Sequence, residues 1–82
     1  MNLSQVKKGQ TVVMKEISPD CGNVVKMRLL DLGFVPGTEI TPQIASPFND
    51  PVAYSIHNTL ISLRQEDAKH IFVNLKTDED VE

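Results

Sequence analysis

The stretch Leu32-Gly33-Phe34-Val35-Pro36-Gly37-Thr38 decides how this chain folds. It follows a segment, Val24 to Leu32, in which Val25, Leu29 and Leu32 recur at helical spacing, so a helix is expected there. Val24, Met27 and Leu30 are expected to widen the same apolar face, with Lys26 and Asp31 toward solvent and Arg28 at the edge. Gly33 then stops the helix, because glycine enters the left-handed region without a Cβ clash. Phe34 falls where an apolar residue packs back on the last helical turn. In Pro36-Gly37, proline presets φ and glycine accepts a positive one, which makes a turn. The run therefore carries the chain abruptly from helix into strand.

The flanking segments follow from this joint. Asn2 to Gln10 is polar apart from Leu3 and Val6, with a turn at Gly9, and Thr11 to Ile17 reads as a first strand. Ser18 to Asn23 is a loop, and Asn23 is expected to cap the helix in preference to Ser18. Thr38 to Ala45 alternates as a strand with Ile40 and Ile44 on one face. Pro42 lies between them and cannot donate to a ladder, so this strand is expected to be an edge or to be bulged there. Ser46 to Pro51 is a turn-rich loop.

The next two strands can be registered directly. His57-Asn58 is read as a two-residue hairpin loop, since both residue types tolerate positive φ. That sets Ile56 opposite Thr59, Tyr54 opposite Ile61 and Val52 opposite Leu63, all facing one way. Leu60 points outward opposite Ser55, either covered by another element or exposed for a partner. A short helical turn over residues 65–69 and a closing strand over 70–75 complete the chain. Five short antiparallel strands with one inserted helix, near residues 24–32, are expected to close on themselves as a small, mainly β, SH3-like barrel.

Eighty-two residues make one domain, expected to bury only roughly 60–65% of its unfolded surface. Its core is thin, and few well-patterned apolar residues should be left over. The formal charge is -3, but four of the 11 acidic residues, Asp78, Glu79, Asp80 and Glu82, lie at the end. Residues 77–82 read as a disordered acidic tail and 1–76 as the domain. The single cysteine, Cys21, excludes an internal disulfide and suits a reducing compartment. No apolar run is long enough to span a membrane, and the N-terminus lacks the pattern of a signal peptide, so a cytoplasmic location is expected.

Catalytic chemistry finds little purchase. Cys21, His57 and His70 form no ligand pair with metal-site spacing, and Cys21 has no histidine near it in sequence. Glu66-Asp67 reads as first-turn charge, and the four glycines form no phosphate-binding loop. Basic residues cluster only at Lys7-Lys8, which disfavours nucleic acid. The chain is expected to bind rather than catalyse. No cofactor is expected beyond weak Fe²⁺ or Zn²⁺ held by His57, His70 or Asp50.

Three blocks give a family resemblance. Met27-Arg28-Leu29-Leu30-Asp31-Leu32-Gly33-Phe34-Val35-Pro36-Gly37-Thr38-Glu39-Ile40 resembles the helix and Leu-Gly-x-x-Pro-Gly-Thr signature of the FeoA family, the ferrous iron transport protein A domain. Ser46-Pro47-Phe48-Asn49-Asp50-Pro51-Val52 is similar to its Ala-Pro-Leu-Gly-Asp-Pro loop. Leu60 to Ala68 with Ile71-Phe72-Val73 is similar to its closing segment. The resemblance covers residues 3 to 75 and places Gly33, Pro36, Gly37, Asp50, Pro51 and Arg64 in the family signature. Asn49 and Asn58 stand where glycine is common, and Pro42 interrupts a strand that is usually Val-rich.

The resemblance implies an SH3-like barrel and a non-enzymatic accessory of FeoB, the membrane ferrous iron transporter with a GTPase domain. The expected contact region is Pro47, Phe48, Asn49 and Asp50 with outward Leu60. A metal-sensing domain is the alternative, a generic protein- or RNA-binding barrel is more distant, and a homo-oligomer is left open. FeoA-like domains also end DtxR-type repressors, but this chain has no room for their DNA-binding helices.

Overall fold

The computed structural model describes residues 1–48 and 50–76. The acidic tail, 77–82, and Asn49 lie outside the described residues. Five antiparallel strands form one sheet: β1 (Val12–Ile17), β2 (Glu39–Ala45), β3 (Val52–Ile56), β4 (Thr59–Leu63) and β5 (Ile71–Leu75). Helix α1 (Asn23–Asp31) joins β1 to β2, and α2 (Gln65–Ala68) joins β4 to β5. The strand order is β4-β3-β2-β1-β5, so the sheet curls as an SH3-like half-open barrel. β2 spans both halves: it pairs β1 through Ile40 and Glu39, then β3 from Thr41 onward.

The joint after α1 is a Schellman cap. Phe34 N–H donates to Leu29 O and Gly33 N–H to Leu30 O, both at 3.0 Å, with Gly33 at φ +107. Leu29 and Phe34 are both completely buried, so the cap's apolar contact is part of the core. The next turn is closed by Thr38 N–H on Val35 O at 3.2 Å, and Gly37 takes the positive φ, +91, of a type II turn. Gly37 N–H and Thr38 O then pair with Met14 at 2.8 Å, which lays the start of β2 against β1.

The hairpin has the register expected from the sequence. Val52 faces Leu63, Tyr54 faces Ile61 and Ile56 faces Thr59, while His57 and Asn58 take φ of 53° and 62°. The first strand, the helix, the third strand and the closing strand lie within one residue of their expected bounds.

Four details differ. The N-cap of α1 is Gly22, with Asn23 the first helical residue; the Ser18 hydroxyl instead accepts Asp20 N–H. Of the two arrangements expected at Pro42, an edge or a bulge, β2 has the bulge: the strand is central and its register shifts between Pro42 and Ile44, which carries Ile44 off the face expected for it. That bulge sets Ile44 against Ala53, and Ile44 is exposed while Ile40 and Pro42 stay buried. Val24 and Met27, expected to join the core face, are 83% and 64% exposed. One helix lying on a small barrel buries only a narrow stripe, here Leu29 with half-buried Val25. Lastly, the polar-looking start contains a 3-10 turn, Leu3–Gln5, capped reciprocally by Asn2 and Gln5, with Leu3 fully buried.

The barrel does not close by hydrogen bonds between β4 and β5. The outer edge of β5 is strapped instead: Asn2 bridges Phe72, and Val73 N–H donates to Met1 O at 3.0 Å.

Gly33 has a further constraint, since a Cβ there would lie 3.0 Å from the His57 ring. Gly33→Ala should cost about 1–3 kcal/mol in urea unfolding. Adding His57→Ala should return less than half of it. The ring can move aside, but the φ of an alanine cannot.

Candidate functional site: an exposed loop and sheet face

The loop between β2 and β3 is fixed at its base and open at its tip. Ser46 N–H donates to Pro51 O at 3.3 Å, and Asp50 N–H to the Ser46 hydroxyl at 2.8 Å. The Asp50 carboxylate accepts Gln65 N–H at 3.0 Å, satisfying a free amide in the first turn of α2. The N-cap residue of α2, Arg64, has no capping side chain, so a residue from a distant loop does that work. Phe48, at the tip, is 88% exposed, and Pro47 is also exposed. A large aromatic held out by a pinned loop is suited to insertion into a partner.

Leu60 lies on β4 opposite Ser55, which is itself opposite Thr41. It is 53% exposed, and among the described residues no element covers it. The neighbouring row is Ile44, Ala53 and Ser62. Leu60 and Ile44 thus stand as apolar side chains around small residues. Sequence reasoning found Leu60 by its phase in the hairpin, but missed Ile44, because the bulge that exposes it changes the phase of β2.

The three metal candidates are not brought together. His57 is at the hairpin tip, its Nε2 3.3 Å from Gly33 O, and Asp50 binds α2. His70 precedes β5 and lines a cavity of about 230 Å³ with Cys21, Glu66, Asp67 and Lys69. Asp67 there is paired with Arg28 at 2.8 Å, which ties α1 to α2. Among the described residues no group of three or more such side chains is placed to hold an ion. Gly33, Pro36 and Gly37 form the helix–strand joint, Asp50 and Pro51 the base of the loop, and Arg64 the N-cap of α2.

A groove of about 380 Å³ between residues 4–8 and the β2–β3 pair was not legible beforehand, since its walls come from distant segments. Lys7 and Lys8 line it, together with Tyr54 and Gln65. Gln65 Nε2 donates to the Tyr54 hydroxyl at 2.9 Å. Burial pushes the Tyr54 phenol above its ordinary value; the Gln65 hydrogen bond opposes this and nearby Asp50 adds to it.

Comparison with known proteins places the chain in a class and then in a family. The fold is that of small SH3-like domains. The FeoA domain model matches residues 1–75, and the chain belongs to that family. The Fe(2+) transport protein A/Fe(2+) transporter FeoB fusion protein of Porphyromonas gingivalis is 39% identical over 75 residues, 92% of this chain and 9% of the relative. The chain therefore spans about a tenth of that curated relative. The FeoA protein of Chlorobium tepidum superposes with TM-score 0.85 at 27% identity, over 94% of this chain and 71% of that one. The zinc-complexed FeoA of Stenotrophomonas maltophilia, described as a procaryotic SH3 domain protein, gives 0.79 at 28% identity, over 90% and 89%.

Tyr54 is the only tyrosine and there is no tryptophan, so its ionisation can be read alone by ultraviolet absorbance. A raised folded-state value means the unfolded chain loses its proton first as pH rises. Its contribution is fully present below the ordinary tyrosine value of 10.0 and is lost as pH rises through the raised folded-state value. Stability should fall as pH rises above 10.0, and Tyr54→Phe should remove this part of the slope. At neutral pH the same variant should cost about 0.5–1.5 kcal/mol through the lost hydrogen bond.

Proposed function

We propose that this domain binds a FeoB-type ferrous iron transporter on its cytoplasmic side and modulates iron uptake, without catalysing a reaction itself. The observation that carries the reading is the Porphyromonas gingivalis relative, in which a FeoA domain and a FeoB transporter share one chain. Covalent linkage holds two domains at high effective concentration, a natural arrangement for modules that work in contact. The ferrous iron is the transporter's cargo. Among the described residues, no helix is long and apolar enough to cross a membrane.

The contact is assigned to the pinned loop with Pro47, Phe48 and Asp50, together with the Leu60 face of the sheet. Asn49, in the same loop, lies outside the described residues. Phe48 supplies the anchor: a protruding aromatic loses water on docking and costs the free domain little when replaced. The Asp50 carboxylate contributes indirectly, by holding the loop base against α2.

Phe48→Asp should leave stability within about 0.5 kcal/mol of the parent, because the side chain is 88% exposed. It should weaken association with the transporter of the same cell at least about tenfold, the loss of one hot-spot residue. Co-purification and ferrous iron uptake measure this. Unchanged association would remove the loop from the contact, and no association by the parent domain would remove the function.

A further inference from the structure

We propose that the outer edge of β4 pairs with β4 of a second copy, joining two sheets into one across a two-fold axis. This stands independently of the transporter reading. It begins with the hydrogen-bond phase of the hairpin. A two-residue loop makes Ile56 and Thr59 a hydrogen-bonded pair, and the phase alternates from there. Thr59, Ile61 and Leu63 therefore direct their amides and carbonyls to β3. Leu60 and Ser62 direct theirs away from the sheet. Among the described residues nothing bonds to the backbone of either, and both residues are exposed.

The sheet has two edge strands, β4 and β5, and the second is protected while the first is not. β5 is strapped by Met1 and Asn2, and the β1–β5 and β2–β3 ladders are interrupted by register shifts. The β3–β4 ladder runs through five unbroken pairs. Thr59-Leu60-Ile61-Ser62-Leu63 contains no charge, no proline and no glycine, the usual devices that keep an edge from pairing.

The strand also specifies its occupant, because it complements itself. Aligned antiparallel about Ile61, Leu60 of each copy faces Ser62 of the other, and their free amides and carbonyls satisfy one another. Ile61 meets its own copy at a non-hydrogen-bonded position, where side chains come closest. Ile61 belongs to the inward row yet is only half-buried, and this contact would cover it. The nearest charge, Arg64, faces Asn58, so no like charges oppose. A two-fold pairing uses up both edges and closes.

A single strand pair is smaller than the ~1,200–2,000 Å² of stable interfaces, so association is weak. Sedimentation equilibrium of the full chain from about 10 µM to about 1 mM should show the mean mass rising from one chain toward two. Hydrogen exchange should then show the Leu60 and Ser62 amides, and not those of Thr59, Ile61 or Leu63, gaining protection with concentration. Leu60→Lys, which puts a charge on the edge without touching the core, should weaken association about tenfold or more. A monomer at the highest concentration with both amides unprotected overturns the proposal. So does a dimer whose protection lies on the exposed Val24–Met27 face of α1. Protection of the two amides only when the transporter is added also overturns it, assigning the edge to a different strand.

Discussion

Everything in this domain is hung from the cap that closes α1. Two carbonyls of the last helical turn are satisfied by Gly33 and Phe34, and the same geometry drives the Phe34 ring against Leu29 inside the barrel. Backbone satisfaction and apolar burial are therefore one event. The glycine is required by both its left-handed φ and its approach to His57, which sets the end of the helix against the hairpin tip. Two residues later the Pro-Gly turn hands the chain to Met14, so β2 begins beside β1 with no slack. A slip of one residue at this junction would move the inward residues of β2 to the solvent face.

A second anchor works in the same way at the other end of the barrel. Asp50, from a loop, satisfies the first turn of α2, whose Gln65 side chain reaches the Tyr54 hydroxyl on the floor of the groove. The result is a loop with a fixed base and a free aromatic tip. It is a useful division: the polar residues hold the geometry, and Phe48, excluded from the core, remains available for contact. The barrel is too small to house a deep pocket, so its surfaces carry its chemistry. Its membership in the FeoA family fits an accessory that acts through those surfaces.

The largest surprise is how much apolar surface remains outside. Val24, Met27, Ile44, Phe48 and Leu60 are all more than half exposed. A thin core suggested that each patterned residue would be needed inside. Geometry disagrees: a helix touching a curved sheet along one line has room for Leu29 and Val25, and the rest of its apolar pattern faces away. Exposed apolar residues of this kind are the ones on which recognition can be built.

Local chemistry was legible in the sequence wherever a residue's own conformational limits settled the answer. Gly33 and Pro36-Gly37 announced the joint, His57-Asn58 announced the hairpin, and with a two-residue loop the register of six residues followed without further information. The family blocks were legible for the same reason, because they are built from these constrained residues. Tertiary structure alone decided what depends on distant partners. It made Gly22 rather than Asn23 the cap of α1, turned Ile44 outward through the bulge at Pro42, and buried Leu3 beneath the sheet. It also set Asp50 on α2, 15 residues away along the chain. Turn and cap preferences act over a few bonds and are written in adjacent residues. Burial and long-range hydrogen bonds depend on which surfaces meet, and that is known only once the whole chain has closed.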